Sequence, residues 1–246
     1  MFTITVLTIR QFLRSRAIFV VVGISLLAAL FALVPRIASL DLDLRDYREL
    51  FASTLYLDMF VGTLLPLAVL VIATGAIGDE LEDKTFQYIA LKPISRTRIV
   101  LEKLLAVLIV LIPILWGGIF ITWAILAFGH IDGMTDLLWP AFASSLVAII
   151  GFGSLFLLIS TVINRALLVG VFYVFVWETA LSRVLPGLRS ISISHYTSSL
   201  FVRMVDDRRI TITDPSETFT VIITTIGILL VSVALTTWRL RSMSLD

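Results

Sequence analysis

Long apolar stretches, separated by short polar segments, occupy most of this chain. Six of them predict membrane-spanning helices, over residues of about 17–34, 59–78, 99–128, 138–163, 166–182 and 218–238. Five are long enough, at 1.5 Å per residue, to cross a hydrocarbon core of roughly 30 Å. The pattern predicts an all-α polytopic membrane protein in which residues 1–246 form a single transmembrane domain.

The fifth stretch differs because its uncharged part, residues 166–177, is too short to cross a bilayer alone. It spans only if Glu178 lies within or at the edge of the membrane. Carboxylates inside a membrane are costly and usually face a partner or a wet cavity, so Glu178 is a candidate gate residue or cation contact on a translocation path. The alternatives are a pairing with Arg183 and simple exposure at the outer interface. Residues 190–205 are then predicted to lie along the outer surface.

A short amphipathic segment, residues 2–16, precedes the first span. Arg10 and Arg14 share one helical face, and the apolar positions of another face are Phe2, Val6, Ile9 and Leu13. Helices of this kind lie in the headgroup plane, with their arginines toward the anionic leaflet. We therefore predict an N-terminal amphipathic interfacial helix. The alternative is an extension of the first span.

Composition and charge distribution support the membrane assignment. Hydrophobic residues make up 59% of the chain and charged residues 15%, whereas a soluble domain carries about 25% charge. With both termini inside, the inner segments hold 11 of the 19 basic residues and six acids (11 − 6 = +5). The outer loops then hold eight basic residues and 11 acids (8 − 11 = −3). This bias follows the positive-inside rule and predicts that both termini are cytoplasmic.

A long charged segment, residues 79–103, separates the second and third spans. Asp79 and Glu80 open it and suit a helix N-terminus, where carboxylates complement the helix dipole. Pro93 ends that helix, because proline disfavours helical geometry in the residue before it. Ser95 can cap a second helix that continues into the next span. The segment predicts helix, turn and helix; from the physics alone, an ordinary polar loop is the alternative.

The same segment resembles the cytoplasmic signature of ABC type-2 transporter permeases, in which a glutamate is followed by Gly-Thr, Leu, Pro-x-(Ser)-Arg, Ile and Lys. The matching positions are Ile77, Glu80, Thr85, Leu91, Pro93, Ser95, Arg96, Ile99 and Lys103. Lys84 stands where the family usually has glycine. The resemblance implies a cytoplasmic coupling helix between spans two and three. The residues assigned to ATPase coupling are Glu80, Lys84, Thr85, Tyr88, Pro93 and Arg96.

The resemblance also implies a function, that of the permease subunit of an ABC exporter in the prokaryotic plasma membrane. A second permease copy, identical or a sister chain, would complete the translocation path, and a separate cassette ATPase would hydrolyse the ATP. The chain itself has no G-x-x-x-x-G-K-[ST] motif, so we expect it to bind no ATP directly. The alternatives are a non-transporting scaffold or sensor and an intramembrane lipid-modifying enzyme.

Metal and covalent chemistry are not expected. The chain has no cysteine, hence no thiolate ligand or cysteine nucleophile. His130 and His195 lie in different predicted loops, which is a weak basis for a metal site. We therefore predict no catalytic residue, no bound metal or cofactor and no nucleic-acid partner; the expected partners are the ATPase, a second permease and the lipid bilayer.

Overall fold

A computed structural model describes residues 3–38, 43–82, 94–181, 189 and 191–242. These residues are predominantly helical and contain no strand, which confirms the all-α class. The helices are α1 Thr3–Arg14, α2 Ala17–Ala32, α3 Val34–Ile37, α4 Leu44–Glu49, α5 Leu65–Glu82, α6 Arg96–Ala127, α7 Thr135–Val162, α8 Ala166–Phe172, α9 Ile193–Val205 and α10 Thr218–Ser242. Two π-helical segments, Leu50–Leu64 and Tyr173–Leu181, join α4 to α5 and extend α8.

Five of the described helical stretches are long and apolar enough to cross a membrane: Ala17–Ile37, Leu44–Leu81, Arg96–Ala127, Thr135–Val162 and Thr218–Ser242. They correspond to the first four predicted spans and to the last one. The stretch predicted as the fifth span forms a shorter apolar helix, Ala166–Ala180. The structure therefore shows a multi-pass helical membrane protein with five candidate spans.

The helix of the second span begins at Leu44, well before the predicted start at residue 59. From its sequence, the segment between the first two predicted spans, residues 36–58, is predicted to be a polar loop with a short surface helix near residues 45–51. This prediction is wrong from Leu44 onward, where the spanning helix has already begun. Tyr47, Phe51 and Leu55 are buried at a spacing of four residues, while Asp46 and Asp58 are exposed. The acids thus mark the exposed face of an amphipathic helix. Its first turn is closed by the Asp46 carboxylate, which accepts a hydrogen bond from the Asp43 backbone N–H at 3.2 Å.

Helix α7 lies at the centre of the bundle and packs against α5, α6, α9 and α10. Small residues allow its neighbours to come close; a Cβ atom on Gly151 would lie 3.0 Å from the Ile193 side chain of α9. Helices α2 and α6 cross closely as well, because a Cβ on Gly118 would lie 2.5 Å from the Ser25 carbonyl oxygen. Such small residues are how membrane helices pack without a hydrophobic driving force between them.

The two ends of the bundle differ in the loops and helix ends that they contain. The end that contains α1, the start of α6 and the turn between α7 and α8 is called the basal end. The distal end carries α4 and the loop between α6 and α7, and an arginine there joins several segments. Arg48 forms a bidentate pair with Asp136, both N–O distances being 2.7 Å, and lies 3.5 Å from Asp207.

Helix α9 is inserted into the bundle, which corrects the prediction that residues 190–205 lie along the outer surface. Its residues Ile193, Thr197 and Phe201 are buried, and the Phe201 ring lies 4.5 Å from that of Tyr56. The N-terminus of α9 contacts Gly151, the seventeenth of the 28 residues of α7. Helix α9 therefore starts near the middle of the spanning helices and ends at the distal end, where Asp207 meets Arg48.

Candidate functional site: a basal ion-pair cluster and a buried helix cap

A buried ion pair joins α5 to α6 at the basal end. The Lys103 ammonium, whose side chain is 0% exposed, donates to Glu80 Oε1 at 2.6 Å and to the Ala76 carbonyl oxygen at 2.5 Å. Glu80 lies in the last turn of α5 and Lys103 in the second turn of α6. A charge removed from water is tolerated only with good pairing, and Lys103 satisfies this by bonding to both a carboxylate and a backbone carbonyl.

The neighbouring residue, Glu102, fastens α1 to the same part of α6. Its Oε2 atom accepts hydrogen bonds from the backbone N–H groups of Ile4 and Thr5, at 3.0 and 3.3 Å. Its Oε1 atom accepts from Arg98 Nε at 2.7 Å, and its backbone carbonyl accepts from the Thr5 hydroxyl. The first N–H groups of a helix lack intrahelical acceptors, so Glu102 caps α1 from another helix.

Two consecutive residues of α6 thus hold three helices together. We call Glu80, Arg98, Glu102 and Lys103 the basal cluster. Lys103 faces α5 and Glu102 faces α1, so the basal turns of α1, α5 and α6 are joined by one ion pair and by hydrogen bonds to a carboxylate. Helices α5 and α6 also contain the two ends of the predicted coupling segment, residues 79–103, so a displacement of that segment would reach all three helices together.

The residues predicted for ATPase coupling divide into two groups. Glu80 and Arg96 lie in the described part of the chain, Glu80 within the basal cluster and Arg96 as the first residue of α6. The other four lie outside the described residues: Lys84, Thr85, Tyr88 and Pro93. The structure places the described members at the ends of α5 and α6 and leaves the role of all six as a prediction.

A second buried carboxylate, Glu178, caps the N-terminus of α9. It accepts hydrogen bonds from the backbone N–H groups of Ile193 and Ser194, each at 3.2 Å. The hydroxyls of Ser192 and Tyr173 donate to it at 2.6 and 2.8 Å. The side chain is only 2% exposed, so the alternative of exposure at the outer interface is wrong. A carboxylate at this position also complements the positive end of the helix dipole.

Backbone carbonyl groups just before Pro66 accept hydrogen bonds from two other segments, the π-helical segment Tyr173–Leu181 and helix α9. Proline has no N–H, so it leaves carbonyl oxygens one turn earlier without a helical donor. The Gly62 carbonyl accepts from the Thr179 hydroxyl at 3.4 Å and the Val61 carbonyl from the Ser194 hydroxyl at 3.3 Å. Hydroxyl groups of neighbouring segments commonly satisfy such carbonyls in membranes. Pro66 thus lies just after a π-helical segment, Leu50–Leu64, and carbonyl groups near the end of that segment accept hydrogen bonds from other parts of the chain.

A cavity of about 320 Å³ connects the Glu178 cap with distal loop residues. Its walls include Asp58, Arg189 and His195 near the cap, and Ile212 and Thr213 from the loop before α10. The cavity is lined by both signs of charge. Four described donors hydrogen-bond the Glu178 carboxylate, and its place on a path through the membrane stays a prediction.

Sequence reasoning missed part of both sites. Lys103 and Glu102 were placed at the start of the third span without partners, although two charges inside an apolar helix are a signal for buried pairing. Tyr173 and Ser192 were not predicted as partners of Glu178. For Ser192, the signal was a serine placed just before a helical apolar pattern, which is typical of an N-cap; its hydroxyl indeed accepts from the His195 backbone N–H at 3.1 Å.

The described residues contain no group of three or more His, Cys, Asp and Glu side chains that could hold a metal ion. The fold and the two carboxylate sites define a polytopic helical membrane protein. At its basal end, an ion pair and hydrogen bonds join α1, α5 and α6. The family model of an ABC-2 family transporter protein matches residues 11–185, more than two thirds of the chain. The chain therefore belongs to the ABC-2 transporter family, and this supports a membrane permease component of an ABC transporter. No curated protein sequence matches it.

Removing the Glu102 carboxylate is expected to release α1. Glu102→Ala leaves two backbone N–H groups and Arg98 without their shared acceptor, at a cost of about 1–3 kcal/mol per buried donor. Hydrogen exchange of the α1 amides in detergent should therefore accelerate at least tenfold, because 1.4 kcal/mol corresponds to a factor of about ten. Glu49→Ala removes an exposed carboxylate at the distal end and should leave α1 unchanged. Equal protection of α1 in both variants would contradict the docking.

Proposed function

We propose that this chain is the membrane-spanning permease subunit of an ABC exporter, driven by a separate cassette ATPase. The observation that carries the proposal is the basal cluster. Through the buried Glu80–Lys103 pair, it ties together α5 and α6, which contain the two ends of the predicted coupling segment, residues 79–103. A motor acting on this segment would move α5 and α6 as one body and α1 with them. The path would form between two permease copies, identical or sister chains.

The topology we propose has the basal end and both termini in the cytoplasm of a prokaryotic cell. Helix α10 ends at the basal end with Arg239 and Arg241 in its last turn, and Arg14 closes α1, in line with the positive-inside rule. Helix α7 ends and α10 starts at opposite ends of the bundle, so the chain returns from base to distal end between them. We propose that the segment from Ala166 onward makes this crossing, as the fifth of six.

Helix α1 is proposed to lie at the inner membrane surface. Ile4, Thr5, Thr8 and Phe12 are buried against the bundle, whereas Val6 and Leu13 are 47% and 58% exposed. The exposed pair lies beside Arg10 and Arg14, which are exposed as well. This arrangement supports an interfacial helix whose apolar residues enter the lipid and whose arginines meet headgroups.

The test of the coupling proposal is Thr85→Asp or Tyr88→Ala in the permease co-expressed with a cassette ATPase that assembles with the wild-type chain. A new charge or a lost aromatic contact in a docked face should weaken assembly by at least about tenfold, a loss of 1.4 kcal/mol, and abolish stimulated ATP hydrolysis. Thr211→Asp, an exposed distal position, is the matched control. Full retention of ATPase binding and stimulation by both coupling variants would overturn the proposal.

Orientation can be tested directly because the chain contains no cysteine. A single cysteine introduced by Tyr88→Cys should react with a membrane-impermeant maleimide in inverted vesicles and stay unlabelled in intact cells. A cysteine introduced by Thr211→Cys should behave in the opposite way. Labelling of the Tyr88→Cys protein from outside would exclude a cytoplasmic coupling segment. A non-transporting scaffold or sensor of the same topology would pass this test and fail the ATPase test.

A further inference from the structure

A large cavity opens at the basal end, away from the basal cluster. It has a volume of about 960 Å³, at the upper end of the range for ligand pockets, about 300–1,000 Å³. Its walls come from α5, from the turn between α7 and α8, from the first turn of α8 and from the end of α10. No residue of the basal cluster and not Glu178 lines it, whereas Asp79 and Leu81 at the start of the coupling segment do.

The charge of this cavity is positive. Arg165 lies in the turn between α7 and α8, and Arg239 in the last turn of α10, and both line the cavity. Among the described lining residues Asp79 is the acidic one, so within this part of the lining there are two positive charges and one negative charge. Asn164 and the hydroxyl-bearing Thr161 add further polar groups. An anionic group fits this lining better than a cation or a neutral molecule does.

The other walls of the cavity are apolar and continue into the lipid-facing surface. Val71 of α5 and Leu167 and Leu168 of α8 line it, and Leu168 is 61% exposed. Arg165 lies between the end of α7 and the start of α8, and Arg239 lies in the last turn of α10, so both arginines are at the basal ends of apolar helices. The cavity thus combines a basic rim at headgroup level with an apolar wall that extends toward the acyl chains.

We propose that this cavity binds the anionic headgroup of a phospholipid from the inner leaflet, with one acyl chain along Leu167 and Leu168. Basic pockets between transmembrane helices on the cytoplasmic side are typical binding sites for such headgroups. The apolar wall favours a lipid over a free phosphate ion. The inference rests on the proposed cytoplasmic orientation of the basal end. Its test uses neither nucleotide nor the ATPase, so it can fail or succeed independently of the coupling proposal.

The experiment is native mass spectrometry of the purified chain in neutral detergent, titrated with phosphatidylglycerol and separately with phosphatidylcholine. Phosphatidylglycerol should bind the wild-type protein with a one-to-one high-affinity step that phosphatidylcholine lacks. Arg165→Gln and Arg239→Gln should each weaken that step roughly fivefold, and the double variant roughly 25-fold, as expected for surface arginine contacts. Arg241→Gln, an exposed arginine two residues further along α10 that does not line the cavity, should leave it unchanged.

Three results would overturn the proposal. An equal effect of Arg241→Gln would indicate a diffuse basic rim in place of a site. Equal binding of phosphatidylcholine would show that the acyl chains alone are recognised. Displacement of phosphatidylglycerol by millimolar inorganic phosphate would show that the cavity selects a free anion. Thermal unfolding curves of all variants, recorded without added lipid, distinguish a misfolded protein from one that has lost the headgroup contact.

Discussion

Lys103→Met should destabilise the base of the protein by about 3–5 kcal/mol, the usual cost of removing one partner from a buried ion pair. The substitution leaves the Glu80 carboxylate, whose side chain is 12% exposed, without its ammonium partner at 2.6 Å. It also removes the donor to the Ala76 carbonyl. We expect a lower midpoint of thermal unfolding in detergent. Under the proposed coupling we also expect loss of stimulated ATP hydrolysis by the partner ATPase, because the pair that joins α5 to α6 is gone.

The matched double variant Glu80→Leu with Lys103→Met removes both charges. It therefore distinguishes the cost of leaving one charge buried without its partner from the contribution of the ion pair itself. Replacing a buried ion pair by apolar residues of similar size is often neutral or stabilising, so the double variant should recover most of the stability lost in Lys103→Met. A double-mutant cycle then gives the coupling energy of the pair. Arg241→Met, an exposed charge loss at the same end, should have no effect. A Lys103→Met protein as stable as the wild type would show that the pair does not hold the base.

The spans of this protein could be predicted from the sequence because apolar length is a direct consequence of the bilayer thickness. Five of the six predicted stretches are long candidate helices in the structure. The start of the second was misplaced because Asp46 and Asp58 were read as loop residues. Their helical spacing against Tyr47 and Phe51 was the better indicator, since both aromatic residues are buried and both acids exposed.

The inserted helix α9 could not be derived in the same way. Its sequence is only moderately apolar and is shorter than a span, and these properties suit a surface helix equally well. Its insertion depends on contacts between distant parts of the chain: Ser194 with Val61, 133 residues away, and Ile193 with Gly151. A single sequence contains no local signal for such pairings.

The candidate sites were predictable only in part for the same reason. Glu80 was found through the family resemblance, and its partner Lys103 belongs to the same signature, but the direct pairing required the packing of α5 on α6. Glu178 was found because an intramembrane carboxylate is costly. Among the described residues, its donors are Tyr173 on one side and residues 192–194 on the other, and nothing in the local sequence indicates that these two parts of the chain meet.

Glu178→Ala should detach the N-terminus of α9. The substitution removes the acceptor of two backbone N–H groups and two hydroxyls, and each buried donor left unsatisfied costs about 1–3 kcal/mol. The total loss should reach roughly 3 kcal/mol or more. Hydrogen exchange of the α9 amides, residues 193–205, should accelerate by at least about a hundredfold, since 1.4 kcal/mol corresponds to a factor of ten.

Glu178→Gln distinguishes the structural role of this residue from a role in transport. Glutamine keeps one carbonyl oxygen for the donors but turns an N–H₂ group toward the others, so protection of α9 should fall between that of the wild type and that of Glu178→Ala. Glu217→Ala, an exposed distal carboxylate, is the control and should leave α9 unchanged. Unchanged exchange of α9 in Glu178→Ala would contradict the cap. If Glu178→Gln retains assembly and α9 protection but loses ATP-driven export, the carboxylate also acts on the translocation path. If export instead falls in step with α9 protection across Glu178→Ala, Glu178→Gln and Glu217→Ala, the role of Glu178 is to hold this helix in place.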